Sequence, residues 1–211
     1  MGFCIIMHGD RGISKYEKII HENLEKIYNK LPAELERAIP ATKEGGLFCF
    51  KAFGEECIVG PDEVLLSGRA ERGPKGLLVS LYVLHASLAP IQLEPFKSFR
   101  DFPGSVPYQG AFIAHSERIL LPYVSRLKEA QGVVKKVLGN DNRPEGAQGD
   151  FSFFLYPLPK IAMYYIFYLP DEEFPASVTC LFSSNAMVFM PLDGLADVAE
   201  YTSKRIIDLI A

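Results

Sequence analysis

Arg100 and Asp101 stand side by side within residues 95–108, a stretch with three prolines and four aromatic residues, and Tyr108, Gln109 and His115 follow. A guanidinium presents a planar fork of donors that matches a carboxylate or a phosphate. Tyrosine and histidine can donate or exchange protons, and aromatic walls keep water away from such a grip. Arg100, Asp101, Tyr108 and His115 are therefore the ligand-binding candidates, for a small anionic ligand. The same composition also fits a structural use, with Arg100 tying its loop to a carboxylate or to helix-end carbonyls. Both readings stay open at this point, and no residue is assigned a catalytic role.

Other constellations read as structural. Asp171, Glu172 and Glu173 share a turn, with Asp193 further on, but hard cations need several oxygens on a defined loop and no calcium-loop spacing is present. Cys4, Cys49, Cys57 and Cys180 are far apart, and neither Cys-x-x-Cys nor His-x-x-x-His occurs, so buried free thiols are expected rather than a metal site or disulfides. His8, His21, His85 and His115 fall on different elements. The glycine-containing loops at residues 9–12 and 73–76 lack the phosphate-loop and dinucleotide patterns, and no Gly-x-Ser-x-Gly elbow is present. No cofactor and no metal are expected.

The elements that must position these residues can be read from periodicity. Ser14 can cap a helix whose apolar positions Ile19, Ile20, Leu24, Ile27 and Leu31 recur at three and four residues. Pro32 suits the first turn of a second short helix that carries Leu35 and Ile39 inward and ends at Pro40. From Gly46 the period changes to short β-prone runs around Gly54-Glu55-Glu56, a predicted hairpin, with a third strand at 63–66. Leu77, Leu78, Leu81, Leu84 and Leu88 define one face of a buried helix ending at Pro90. Residues 95–108 read as an ordered crossing. Residues 111–138 show helical spacing with a kink near Pro122, and 139–150 form a polar loop expected to be the most mobile part. Runs at 151–156, 163–169 and 178–182 form a meander, and a helix from Leu192 covers the sheet. Helices early and in the middle, with an early hairpin and a late meander, predict an α+β fold whose antiparallel or mixed sheet packs with helices.

At 211 residues the chain fits one domain, 1–211, with residues 1–45 as a helical N-terminal extension and 46–211 as the α+β core. Its net charge of −4, with dispersed lysines and arginines, disfavours nucleic acid as a partner. The longest strongly apolar run, 161–169, is half the ~18 residues a spanning helix needs, so no membrane insertion is expected. The opening residues 1–7 run straight into His8, Asp10 and Arg11 rather than a cleavage site, which reads as cytoplasmic.

Several of these segments together resemble one prokaryotic family. They are the helix at 77–88, Ser98-Phe99-Arg100-Asp101-Phe102-Pro103-Gly104, Tyr108 and Phe112, Pro170-Asp171-Glu172-Glu173-Phe174-Pro175, Leu181-Phe182 and Met190-Pro191-Leu192-Asp193. In that order they are similar to the domain-of-unknown-function family number thirty-seven eighty-six, from Gly46 to the C-terminus. Members of that family come mainly from anaerobic bacteria and archaea. Some carry an added iron–sulphur module of the kind seen in corrinoid one-carbon proteins, and no activity is established. The resemblance implies an accessory or binding protein beside iron–sulphur or corrinoid enzymes of anaerobic metabolism. A small-molecule enzyme or a ligand sensor using Arg100 is the alternative. Two departures bear on this. A cluster needs several close thiolates, and no two cysteines are closer than Cys49 and Cys57, so the added module is absent from this chain. The family's Leu-Phe strand usually runs into an aspartate, where this chain has Ser183, which weakens any ion-binding role there.

Overall fold

The computed structural model describes residues 14–139 and 149–211. Cys4, His8, the glycines at 9–12 and most of the expected polar loop at 139–150 lie outside the described residues. The chain opens with α1 (Lys15–Asn29), whose N-terminus is capped as expected, the Ser14 hydroxyl accepting from the Glu17 amide at 3.1 Å. Its buried face, Ile20, Asn23, Leu24 and Ile27, follows the three- and four-residue steps seen in the sequence. A single-turn helix, α2 (Leu35–Ala38), buries Leu35.

A five-stranded antiparallel sheet follows in simple order: β1 (Thr42–Glu44), β2 (Leu47–Ala52), β3 (Glu55–Val59), β4 (Val64–Leu66) and β5 (Arg69–Ala70). The hairpin turn sits at Phe53-Gly54, one step earlier than the Gly54-Glu55-Glu56 separator read from the sequence, and Glu55 and Glu56 already pair in β3. Both turn residues have positive φ, 52° and 75°, as a tight two-residue hairpin demands. Gly54 is required twice over, because a Cβ there would meet the Val137 side chain at 2.5 Å. The Phe53 amide then donates to the Pro157 carbonyl at 2.7 Å, joining this sheet to the next.

Helix α3 (Pro74–Leu84) starts on its proline and ends four residues short of the expected Leu88. The reason lies elsewhere in the chain. Lys160, 7% exposed, donates to the carbonyls of Ser87 at 2.6 Å and Ala89 at 3.0 Å, holding residues 87–89 away from the helix, while the His85 amide still donates to the Leu81 carbonyl. Burial pulls its ammonium below the usual lysine range.

The second sheet has β6 (Lys97–Ser98), β7 (Phe151–Leu158), β8 (Ile161–Tyr168) and β9 (Ser177–Phe182) in the order β6-β9-β8-β7, all antiparallel. The meander is as expected, and the crossing at 95–108 adds the short edge strand β6. Residues 161–167 are buried on both faces, which explains their unbroken apolar run. One face joins the main core with Leu24, Phe48 and Leu195. On the other face Phe154, Ala162, Tyr164 and Ile166 pack under Ile91, Leu93 and Phe96.

The kinked helix expected at 111–138 is broken into five pieces. These are α4 (Gln109–Phe112), a π-helical turn Ile113–Glu117, a 3-10 stretch Arg118–Tyr123 containing Pro122, α5 (Val124–Glu129) and α6 (Gln131–Leu138). Proline has no amide to donate, and the π turn admits one extra residue per ring, so the run does not continue as one regular α-helix. Helix α7 (Leu192–Asp208) closes the fold on its Leu195, Val198, Ala199 and Ile206 face.

Candidate functional site

The four residues singled out in the sequence lie on one continuous surface segment. Arg100 and Asp101 occupy a single 3-10 turn after β6, with side chains 77% and 53% exposed and Arg100 Nε 3.9 Å from Asp101 Oδ1. Asp101 caps its own turn, its Oδ2 accepting from the Ser98 amide at 3.1 Å. Tyr108, 42% exposed, precedes α4, and His115 is exposed on the π turn. Beneath them Phe99 stacks on Phe112 with centroids 4.3 Å apart, and Phe182 packs against both rings. The aromatic residues expected to wall a ligand therefore face the core, and the charged residues face water. None of the four lines either of the two hollows described next.

The larger hollow is a cleft of about 1360 Å³ where the non-core faces of the two sheets meet beside α6. Strand alternation sets much of its lining, although the core residues Phe50 and Phe151 also touch it. On β2, Phe48, Phe50 and Ala52 are buried while Cys49 and Lys51 point to the opposite face, and Thr42 of β1 pairs with Cys49. On β7 the outward set is Ser152, Phe154 and Tyr156, next to Tyr164 of β8. Helix α6 adds Gln131, Lys135 and Lys136. Three lysines thus face one described carboxylate in the lining, Asp150. Lys135 Nζ donates to the Gln131 side-chain Oε1 at 2.8 Å and lies 5.8 Å from the Phe153 ring centre. The Cys49 thiol is pushed up by burial and by Glu44 and Glu56, so it is no thiolate nucleophile at neutral pH. Burial likewise raises the Tyr156 hydroxyl, keeping that ring neutral. The chemistry available is that of holding an anion. Lysine ammonium groups in a cleft offer charge and hydrogen bonds to such an anion.

The second hollow, of about 660 Å³, lies between α1 and the β4–β5 hairpin, over Ile20 and Val64, with Glu17, Glu22, Asp62, Glu63 and Glu71 around it against Lys18 and Arg72. A third feature runs inward from the half-buried Glu117. At the π turn, the Glu117 carboxylate accepts from the Cys180 amide at 2.9 Å, and the Ser116 carbonyl accepts from Ser203, whose hydroxyl lies 3.0 Å from the Tyr165 hydroxyl. Burial raises Glu117, Cys180 and Tyr165 above their ordinary ranges. Cys49, Cys57 and Cys180 are free thiols. Among the described residues no group of three or more His, Cys, Asp or Glu is arranged for a metal, and no helix is long and apolar enough to cross a membrane.

No sequence signal joined Lys51 to Lys135, Lys136 and Tyr156. Each reads alone as a solvent-facing position, and only the junction of two sheets with α6 makes them neighbours.

Two antiparallel sheets packed with helices around a shared core define an α+β protein. The chain belongs to the domain of unknown function family DUF3786, which it matches over residues 24–205. No curated protein and no solved structure matches it.

Proposed function

We propose that the chain is a binding protein that holds a small anionic molecule in the cleft between its sheets. The observation that carries this reading is the presence of Lys51 and Lys136, from β2 and α6, in the lining of one concave site. Lysine ammonium groups are compact point charges suited to phosphate or carboxylate oxygens. A cleft concentrates their field, because its walls are poorly polarisable. The test is calorimetric titration with pyrophosphate. The native chain binds, and Lys51→Glu with Lys136→Glu weakens binding by about tenfold or more, since a charge-assisted hydrogen bond contributes about 1.5–3 kcal/mol. Equal affinity in the double variant would overturn the reading.

A second reading is favoured by exposure at residues 98–115. Val106 is 78% exposed, and Tyr108 and Ile113 reach solvent beside Arg100 and His115. Arginine and tyrosine around apolar contacts is the composition of protein docking surfaces. In this reading Arg100, Asp101, Tyr108 and His115 contact an anionic group of a partner. The family resemblance suggests an iron–sulphur or corrinoid enzyme as that partner, beside which the chain serves as an accessory protein.

A further inference from the structure

We infer that the exposed face of residues 106–114 pairs with the same face of a second copy of this chain across a two-fold axis; the inference rests on the reading of residues 98–115 as a docking surface and names its occupant.

From Phe102 to Ser116 the chain carries no aspartate, glutamate, lysine or arginine. Helix α1, a surface element of the same length, carries six. A solvated face ordinarily recruits charge, yet the outward positions here include Val106, Tyr108, Gly110, Ala111, Ile113 and Ala114. A contiguous apolar face of this kind marks an interaction site. It follows β6, at one edge of the second sheet, whereas the cleft lies along β7 at the other edge, so the two are separate.

Gly110 is the position that asks for a close neighbour. It sits in α4 without a positive φ, and a Cβ there would meet nothing within 4 Å, so neither its backbone conformation nor internal packing requires a glycine. Glycine weakens a helix relative to alanine, so its use here is accounted for by the bare backbone it offers outward. Val106, Gly110 and Ala114 recur at four-residue steps along the helical run and are all exposed, which makes them one stripe. Small residues at that spacing let a second helix approach closely, with Val106 and Ile113 packing beside the crossing.

The charges at the rim point to self-pairing. Asp101 Oδ2 is held by the Ser98 amide, while Oδ1 lies 3.9 Å from the Arg100 Nε, at the outer limit of an ion pair. One exposed turn thus offers a cation and an anion side by side. Each meets its opposite on an identical surface turned through a two-fold axis. An anionic lipid or nucleic-acid surface would call for cations alone, and the Asp101 carboxylate would repel it. The face is far smaller than the roughly 20–30 residues a side of a stable interface, so the dimer is weak and each protomer rests on its own core. Any other protein docking here has to displace the copy.

Sedimentation velocity of the full chain at a series of concentrations up to about 200 µM tests this, and the native chain is expected to dimerise with a dissociation constant of about 1–100 µM. Gly110→Glu fills space that is open in the protomer, so its melting temperature does not fall, while the dimer weakens about tenfold or more. Arg100→Glu and Asp101→Lys each self-associate about fivefold or more weakly, because like charges then face each other, and an equimolar mixture of the two recovers association. Melting curves confirm that each variant is folded. A native chain that stays monomeric throughout overturns the inference, and the docking reading is then decided separately by whether the chain retains an iron–sulphur or corrinoid protein. A dimer that persists unchanged in Gly110→Glu forms through another face and overturns it as well. A mixture of the two charge variants that associates no better than either alone overturns the two-fold pairing.

Discussion

The cleft and the 98–115 surface use similar residues in opposite settings. Each has cations beside aromatic rings. In the cleft, lysines and Tyr156 converge on a concavity formed by two sheets and α6. On the surface, Arg100 and Tyr108 project outward while Phe99 and Phe112 turn into the core. The difference lies in curvature and not in residue type. A convex turn shares its charges with water, which screens them, whereas a cleft keeps them close together. The segment most conspicuous in the sequence is thus convex, while the cleft is assembled from positions that look ordinary in the sequence.

The comparison is sharpened first where the expected effect is largest. If the 98–115 segment is a skin over a packed stack, Phe112→Ala removes a ring in contact with both Phe99 and Phe182 and lowers stability by about 3–5 kcal/mol. Chemical denaturation reads this loss directly. Pyrophosphate affinity of the folded fraction stays at the native value, because the cleft lining does not include this stack. A loss below about 1 kcal/mol would mean that the stack is dispensable, and the surface would then have to be explained by function.

How much of this was legible in the sequence differs between the fold and the site. Amphipathic spacing placed α1 and α7, and the apolar run at 161–169 marked a strand buried on both faces, because periodicity records which side of an element meets the core. The family could be recognised for a related reason, since its motifs are short local strings. What could not be read depends on contacts distant in sequence. Lys160 ends α3 early by capturing carbonyls more than seventy residues away, and nothing near Leu84 announces it. The π turn at Ile113–Glu117 arises where the 109–123 run must fit against α7 and β9. The cleft is the extreme case, needing β2, α6, β7 and β8 at once. The Arg100-Asp101 pair was conspicuous because its neighbours were aromatic, but burial of those neighbours, and not their presence, decides whether they wall a pocket.

A smaller effect probes the underside of the same surface. Glu117 extends from the π turn into the protein, where its carboxylate accepts from the Cys180 amide. Its carboxyl is raised by burial, so the folded state holds its proton to higher pH than the unfolded chain does. Between the ordinary carboxylate range and that raised value the folded state binds more protons, and stability falls as pH rises. Glu117→Gln keeps an oxygen to accept from Cys180 and removes the charge. The variant therefore loses this segment of pH dependence and equals or exceeds the native chain in stability near neutrality, by about 1 kcal/mol. Denaturation midpoints at several pH values check it, and a native-like pH slope in the variant would show that another group titrates there.

The smallest expected effect is the most discriminating. Arg100 is 77% exposed and its contact with Asp101 is a solvent-screened pair at 3.9 Å, so Arg100→Ala together with Tyr108→Ala changes stability by about 0.5 kcal/mol or less. The same change leaves pyrophosphate affinity untouched, because neither side chain lines the cleft. Its consequence appears only if the surface docks a partner. Anaerobic capture from the native host with the wild-type chain should then enrich an iron–sulphur or corrinoid protein that the double variant fails to retain. Loss of that protein with stability and cleft affinity intact would give the two regions separate tasks, recognition of a partner on the convex side and of a small anion on the concave one. Equal recovery with both chains would remove the docking reading and leave the cleft as the working part of the molecule. A double variant that weakened pyrophosphate instead would break the comparison itself, since charges on the convex face would then be acting inside the cleft at a distance that solvent screening should not allow.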